Sequence, residues 1–386
     1  MRATIAQLPG SLIREVANAA IGRSDVLPFW FGESDEVTPE PVRLAAADSL
    51  ARGETFYSHN LGLVELREAL RGYLATLHGD PGPDRIAVTS SGVSAVMAAM
   101  QLLVDPGDEV LVVVPVWPNL AAQPAILGAR VRRLALAPDA TGAWTLDIAR
   151  LLHEVTPATR VLLINAPNNP TGWTLSRAEQ QAILEHCRQT GTAIVADEVY
   201  ARLFYGGSQP GQGAPSFLDI ATPDDRLVVV GSFSKAFLMT GWRLGWLVLP
   251  RGQLSQMAKL IEFNSSCAPV FVQRGGLAAL AMAENFVPGL VARLQAGRDA
   301  LCGALAGLPG VVSATPKAGL YAWFQVPGGA DSLAFAKRLV SSQGLGLAPG
   351  AAFGTEGEGW LRWCFASQDL QRLRDGVDRL ARALAR

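Results

Sequence analysis

The strongest constraint on this chain is a repeated switch of hydrophobic period. Short runs that are almost wholly apolar alternate with segments of helical spacing through the first two-thirds of the sequence. Arg85–Thr89, Glu109–Val114, Arg160–Asn165, Ala193–Asp197, Arg226–Gly231 and Trp246–Leu249 read as strands. Helical spacing occupies Gly92–Leu103 and Arg177–Thr190. A run such as EVLVVV, with no polar alternation, suits a strand covered on both faces. The βαβ order therefore predicts an α/β fold with a mostly parallel sheet and helices on both sides. Ligands of such sheets bind beyond the carboxyl ends of the strands.

The last hundred residues follow another pattern. Long amphipathic helices are expected at Pro288–Leu308, Ser332–Ser342 and Asp369–Leu384, with short strands at Leu320–Val326 and Leu361–Phe365. This describes a small α+β domain. The expected division is a large domain over 48–285 and a discontinuous small domain over 1–47 and 286–386.

Composition excludes several classes. Hydrophobic residues make up 49% and charged residues 17%, which is too apolar for a disordered chain. Lys plus Arg is 33 and Asp plus Glu is 34, so no basic field favours nucleic acid. No apolar run reaches the 18 or so residues of a membrane span, and Met1–Asn18 lacks the order of a signal peptide. The four cysteines are scattered, as are the four histidines, so no metal site is expected. Free thiols suit a reducing cytoplasm. The apolar excess suits a large core and a buried subunit interface.

Five polar signatures follow the strand ends. Gly231–Gly245 reads GSFSKAFLMTGWRLG. Lys235 follows a buried strand there, and burial lowers an amine toward the neutral form that Schiff-base chemistry needs. Ser232, Ser234 and Arg243 are the hydroxyl and guanidinium types that hold a phosphate. In Ala196–Tyr200 (ADEVY), Asp197 ends an apolar run and needs a partner such as a pyridinium nitrogen, or else caps a helix. Tyr200 could donate to a phenolate oxygen. Asn165–Gly172 (NAPNNPTG) is a rigid turn that aims Asn169. Thr89–Ser94 (TSSGVS) joins a strand to a helix whose first amides can hold an anion. Trp117, in PVWP, offers a flat face for a ring, or belongs to the core. Neither GxGxxG nor GxxxxGK[ST] occurs, which disfavours dinucleotides and nucleoside triphosphates.

In this order and spacing, the segments SKAFLMTGWRLGW, NAPNNPTG and ADEVY resemble the class I/II aminotransferases. These are the fold-type I enzymes dependent on pyridoxal phosphate (PLP). The resemblance runs from Gly32 to Arg362 and implies a seven-stranded-type sheet in the large domain. It implies that Lys235 forms the Schiff base with PLP and, once freed, shuttles the substrate proton. Asp197 would pair with the pyridine nitrogen, Asn169 and Tyr200 with the ring hydroxyl oxygen, and Trp117 would stack on the ring. Ser91, Gly92, Val93, Ser232 and Arg243 would cradle the phosphate. Tyr57, in FYSHNLG, would reach the phosphate of the neighbouring subunit, which implies a homodimer with shared sites. Arg362 would grip the substrate carboxylate, and Gly32 and Asn169 would also face the substrate.

Departures bear on specificity. Where the family often has GEPDF, this chain has GESDEV. One dicarboxylate subgroup brings an arginine from the partner chain, yet Asn264–Gln273 (NSSCAPVFVQ) contains none. Trp30, Val270 and Phe271 hint at an apolar side-chain pocket. The implied activity is ping-pong transfer of an amino group from an L-amino acid to a 2-oxo acid. The alternatives are elimination by a C–S lyase, or cyclopropane-ring formation, on the same fold. A third is a transcriptional regulator, which needs an N-terminal winged helix that these residues do not suggest.

Overall fold

The computed structural model describes residues 1–207 and 211–385. Its centre is a seven-stranded sheet: β1 (Ile86–Thr89), β2 (Glu109–Val114), β3 (Arg130–Ala135), β4 (Thr159–Asn165), β5 (Ala193–Asp197), β6 (Leu227–Ser232) and β7 (Gly245–Val248). The spatial order is β1-β7-β6-β5-β4-β2-β3. Six strands run parallel, and β7 lies antiparallel between β1 and β6.

All six residues of β2 and all five of β5 are buried. Successive side chains enter opposite faces. Val110, Val112 and Val114 join one apolar cluster, with helices Gly92–Leu103 and Leu254–Ser265. Leu111 and Val113 join the other, with helix Arg177–Thr190. Covering on both faces explains why these strands lack polar alternation.

One strand escapes the sequence pattern. β3 reads RVRRLA and pairs only with β2. An edge strand exposes one side to water, so it tolerates three arginines where an inner strand does not.

A second sheet follows: β8 (Val312–Ser313), β9 (Tyr321–Gln325), β10 (Ala348–Pro349) and β11 (Trp360–Cys364), in the order β8-β9-β11-β10. Helices Ala283–Ala306, Ser332–Gln343 and Leu370–Leu384 accompany it. The N-terminal helix Leu12–Asn18 packs on β10, and Leu27–Pro28 pairs with Leu345–Gly346. Residues from both ends of the chain are thus tied to one another. Among the described residues no single helix is long and apolar enough to cross a membrane.

Candidate active site

The carboxyl ends of β1, β2, β4, β5 and β6 open into a cavity of about 800 Å³. Gly32, Gly92, Val93, Trp117, Asn169, Asp197, Tyr200, Ser232, Lys235, Arg243 and Arg362 all line it. The register explains part of this convergence: Asn165 pairs with Asp197 in adjacent strands, and Asp197 with Val230. A second groove of about 800 Å³, between helices Glu40–Ala51, Val64–His78 and Val270–Ala281, contains no lysine.

Lys235 is the one lysine in the cavity, out of four in the chain (the others are Lys259, Lys317 and Lys337). Its Nζ donates to the Gly32 carbonyl at 2.6 Å and lies 5.7 Å from the Tyr200 ring centroid. Burial lowers its pKa to about 8, because desolvation disfavours the ammonium. Asp197 is 3% exposed, and burial raises its pKa to about 7. Its carboxylate accepts one hydrogen bond among the described residues, from the Val199 amide at 3.3 Å. A buried carboxylate so poorly satisfied calls for a further donor.

At β1 the chain enters helix Gly92–Leu103 through Ser91, whose Oγ accepts from the Ser94 amide at 3.0 Å. Ser91 has φ +147°, a strained region for any residue but glycine, and strain of this kind concentrates at functional sites. The Gly92 and Val93 amides find no acceptor among the described residues. They are the orphan donors of a helix start. Gly245 lets β7 abut this turn: a Cβ there would lie 2.6 Å from the Gly92 nitrogen. Ser232 Oγ accepts from the Ser234 amide, and Arg243 Nη1 donates to the Thr240 carbonyl at 2.6 Å.

Arg362, on β11, is 2% exposed. Its guanidinium sits 4.3 Å from the Tyr321 ring centroid and 4.7 Å from that of Phe353. Nη1 donates to Asn169 Oδ1 at 2.9 Å, and Nη2 to the Trp30 carbonyl. Its Nε is buried and has no partner among the described residues. Asn169 is itself held by its amide, which donates to Asn165 Oδ1 at 2.8 Å.

Sequence reasoning missed Asn165, Tyr321 and Phe353. Tyr321 hydroxyl lies 2.8 Å from that of Tyr200, and a Cβ on Gly32 would collide with it. Only the latter contact had a sequence signal, the glycine itself. Tyr57 is 87% exposed and does not line the cavity of its own protomer, where the resemblance did not place it. Two other expectations shift. Ser91 does not line the cavity and spends its hydroxyl on the helix cap. Trp30, Val270 and Phe271 do not line it either; the Trp30 ring is buried against Gly346. The apolar lining comes instead from the N-terminal segment around Leu12 and from the turn at Phe353.

A strand-end cavity holding one desolvated lysine, one buried acid, a set of free helix amides and a buried arginine belongs to a known class. Residues 25–380 match the family described as aminotransferase class I and II. Relatives include an aspartate aminotransferase of Pyrococcus horikoshii, 30% identical over 97% of this chain and 94% of that protein. Another is an aspartate aminotransferase of Thermotoga maritima, 31% identical over 97% of each chain. A solved single mutant of the Thermus thermophilus aspartate aminotransferase superposes with a TM-score of 0.91 at 29% identity, covering 100% of this chain and 99% of that one. This chain belongs to the class I and II aminotransferase family. It has the family's fold-type I architecture and is an aminotransferase rather than a lyase.

Proposed function

We propose that this enzyme binds PLP in the strand-end cavity and moves an amino group from an L-amino acid to a 2-oxo acid. The observation that carries this is the company of Lys235. The cavity's one lysine is desolvated and shares its space with a buried, underbonded Asp197, two free helix amides and a guanidinium with an orphan N–H. Those groups match an aldehyde, a pyridinium, a phosphate and a carboxylate in turn.

PLP, when bound, supplies an aldehyde for amine exchange and an electron sink for the charge left at the substrate Cα. Lys235 would hold the cofactor covalently and, once displaced, carry the proton off Cα. A pKa of about 8 leaves a useful fraction of the amine neutral at physiological pH. Asp197 would keep a proton on the ring nitrogen. Asn169 and Tyr200 would hold the ring oxygen, Trp117 would cover the ring face, and Arg243 with Ser91, Gly92, Val93 and Ser232 would hold the phosphate. Of these, Ser91 would act as the cap that presents the amides. Arg362 would take the substrate carboxylate on its planar fork, oriented by Asn169 and pressed between two rings. Gly32 would bring backbone close to the substrate.

We further propose a large domain over 48–285 and a small domain from the chain ends, working as a homodimer in the cytoplasm. Phe56 and Tyr57, 84% and 87% exposed, suit burial against a partner, where Tyr57 would reach the second phosphate. Four free cysteines suit a reducing compartment. The test is a half-reaction. PLP-loaded enzyme mixed with an amino donor and no acceptor should release one equivalent of 2-oxo acid per subunit and no ammonia. Release of ammonia with continuing turnover would refute transamination.

A further inference from the structure

Given the function proposed above, we infer that the amino donor of this enzyme carries an apolar side chain. We infer also that Glu356 enforces this choice by occupying Arg133. Five cations line the cavity. Lys235 and Arg243 belong to the cofactor end, and Arg362 to the substrate's α-carboxylate. The fourth, Arg133 on edge strand β3, is already paired: its Nε and Nη2 meet Glu356 Oε1 and Oε2 at 3.1 and 2.5 Å. A bidentate pair of this kind leaves the guanidinium little capacity for a second carboxylate.

The wall from Arg362 to Arg133 is continuous. Phe353 packs against the Arg362 guanidinium, and the next residue, Gly354, abuts the Arg133 guanidinium; a Cβ at 354 would collide with it and lie 2.7 Å from Glu356 Oε2. Ala352 and Val131 line the same cavity, as do Leu12, Ile13 and Phe31. A side-chain carboxylate placed among these groups loses its hydration and finds Arg133 already paired. The fifth, Arg14, lines the cavity with no ion pair among the described residues; it is exposed, and its guanidinium is engaged 5.8 Å over the Phe31 ring. The stretch 264–273, which contains no cation, adds none.

Single-turnover half-reactions of the PLP-loaded enzyme test this with L-leucine, L-phenylalanine, L-aspartate and L-glutamate as donors. The better apolar donor should exceed L-aspartate by ~100-fold or more in second-order rate constant. Glu356→Gln frees Arg133 and should narrow that gap at least ~10-fold, and adding Arg133→Gln should restore it. Preference of the wild type for L-aspartate would overturn the inference while leaving the aminotransferase intact. An unchanged ratio in a folded Glu356→Gln enzyme would overturn the role of the pair. Failure of every donor would overturn the proposed function itself.

Discussion

The desolvated lysine predicts a pH profile that can be worked out in advance. An ordinary lysine, near pH 10.5, is ~0.03% neutral at pH 7. With its pKa lowered to about 8 by burial, Lys235 is ~10% neutral there, roughly a 300-fold gain in reactive amine. The perturbation is pH alone. Stopped-flow absorbance would follow capture of PLP by the cofactor-free protein, at constant ionic strength, from pH 6 to 10. The rate should climb about tenfold per pH unit at the acid end and bend to a plateau near pH 8. Lys235→Ala should show no capture in this time range. A log rate rising without a bend up to pH 10 would refute the idea that burial sets the reactivity.

Further predictions follow from single contacts. Arg362→Lys keeps the charge but loses the fork and the bond to Asn169; one lost charge-assisted hydrogen bond, about 1.5–3 kcal/mol, should lower kcat/KM by ~10- to 150-fold, and a PLP titration should show unchanged cofactor affinity. Gly32→Ala drives a methyl into the Tyr321 hydroxyl and should break its 2.8 Å bond to Tyr200; calorimetry should find a loss of about 1–3 kcal/mol, with activity falling at least ~10-fold. The cofactor-free protein should lose stability as pH rises. Asp197 and Glu198, both pushed up to about 7 by burial, hold protons more tightly when folded than unfolded, so their contribution is complete below about pH 4 and is lost as pH rises through 7. The slope should be at most about 1.4 kcal/mol per pH unit for each group, and Asp197→Asn should flatten urea-unfolding free energies between pH 5 and 7. An identical slope in that variant would contradict the burial of the charge.

The parts of the molecule legible in sequence are those where one local pattern suffices. Gly92–Leu103, Glu109–Val114 and Arg177–Thr190 occur with the bounds their periodicity predicts. Their burial is uniform or strictly one-sided, so hydrophobic spacing reports it directly. β3 stayed hidden because it lies at the edge of the sheet, where its arginines find acidic partners or water, a fact of topology and not of the segment. The site divides in the same way. Lys235 and Asp197 announce themselves, since each is a polar residue at or just past the end of an apolar run, and Asn169 does so from a rigid turn of prolines and glycine. Tyr321 and Phe353 stand in no motif; they matter because they enclose an arginine that comes from a strand beside them. The Arg133–Glu356 pair joins positions 223 residues apart, and nothing local to either predicts the other. The apolar side-chain pocket was expected from Trp30, Val270 and Phe271, yet the Trp30 ring turned into the packing against Gly346.

The most direct test is to find where PLP attaches. The chain has four lysines, so the answer is discrete. Enzyme loaded with PLP, reduced with borohydride and digested should yield one modified peptide, with the pyridoxyl group on Lys235. Modification of Lys259, Lys317 or Lys337 instead, or an unmodified Lys235 peptide under conditions that support amino transfer, would contradict the central claim.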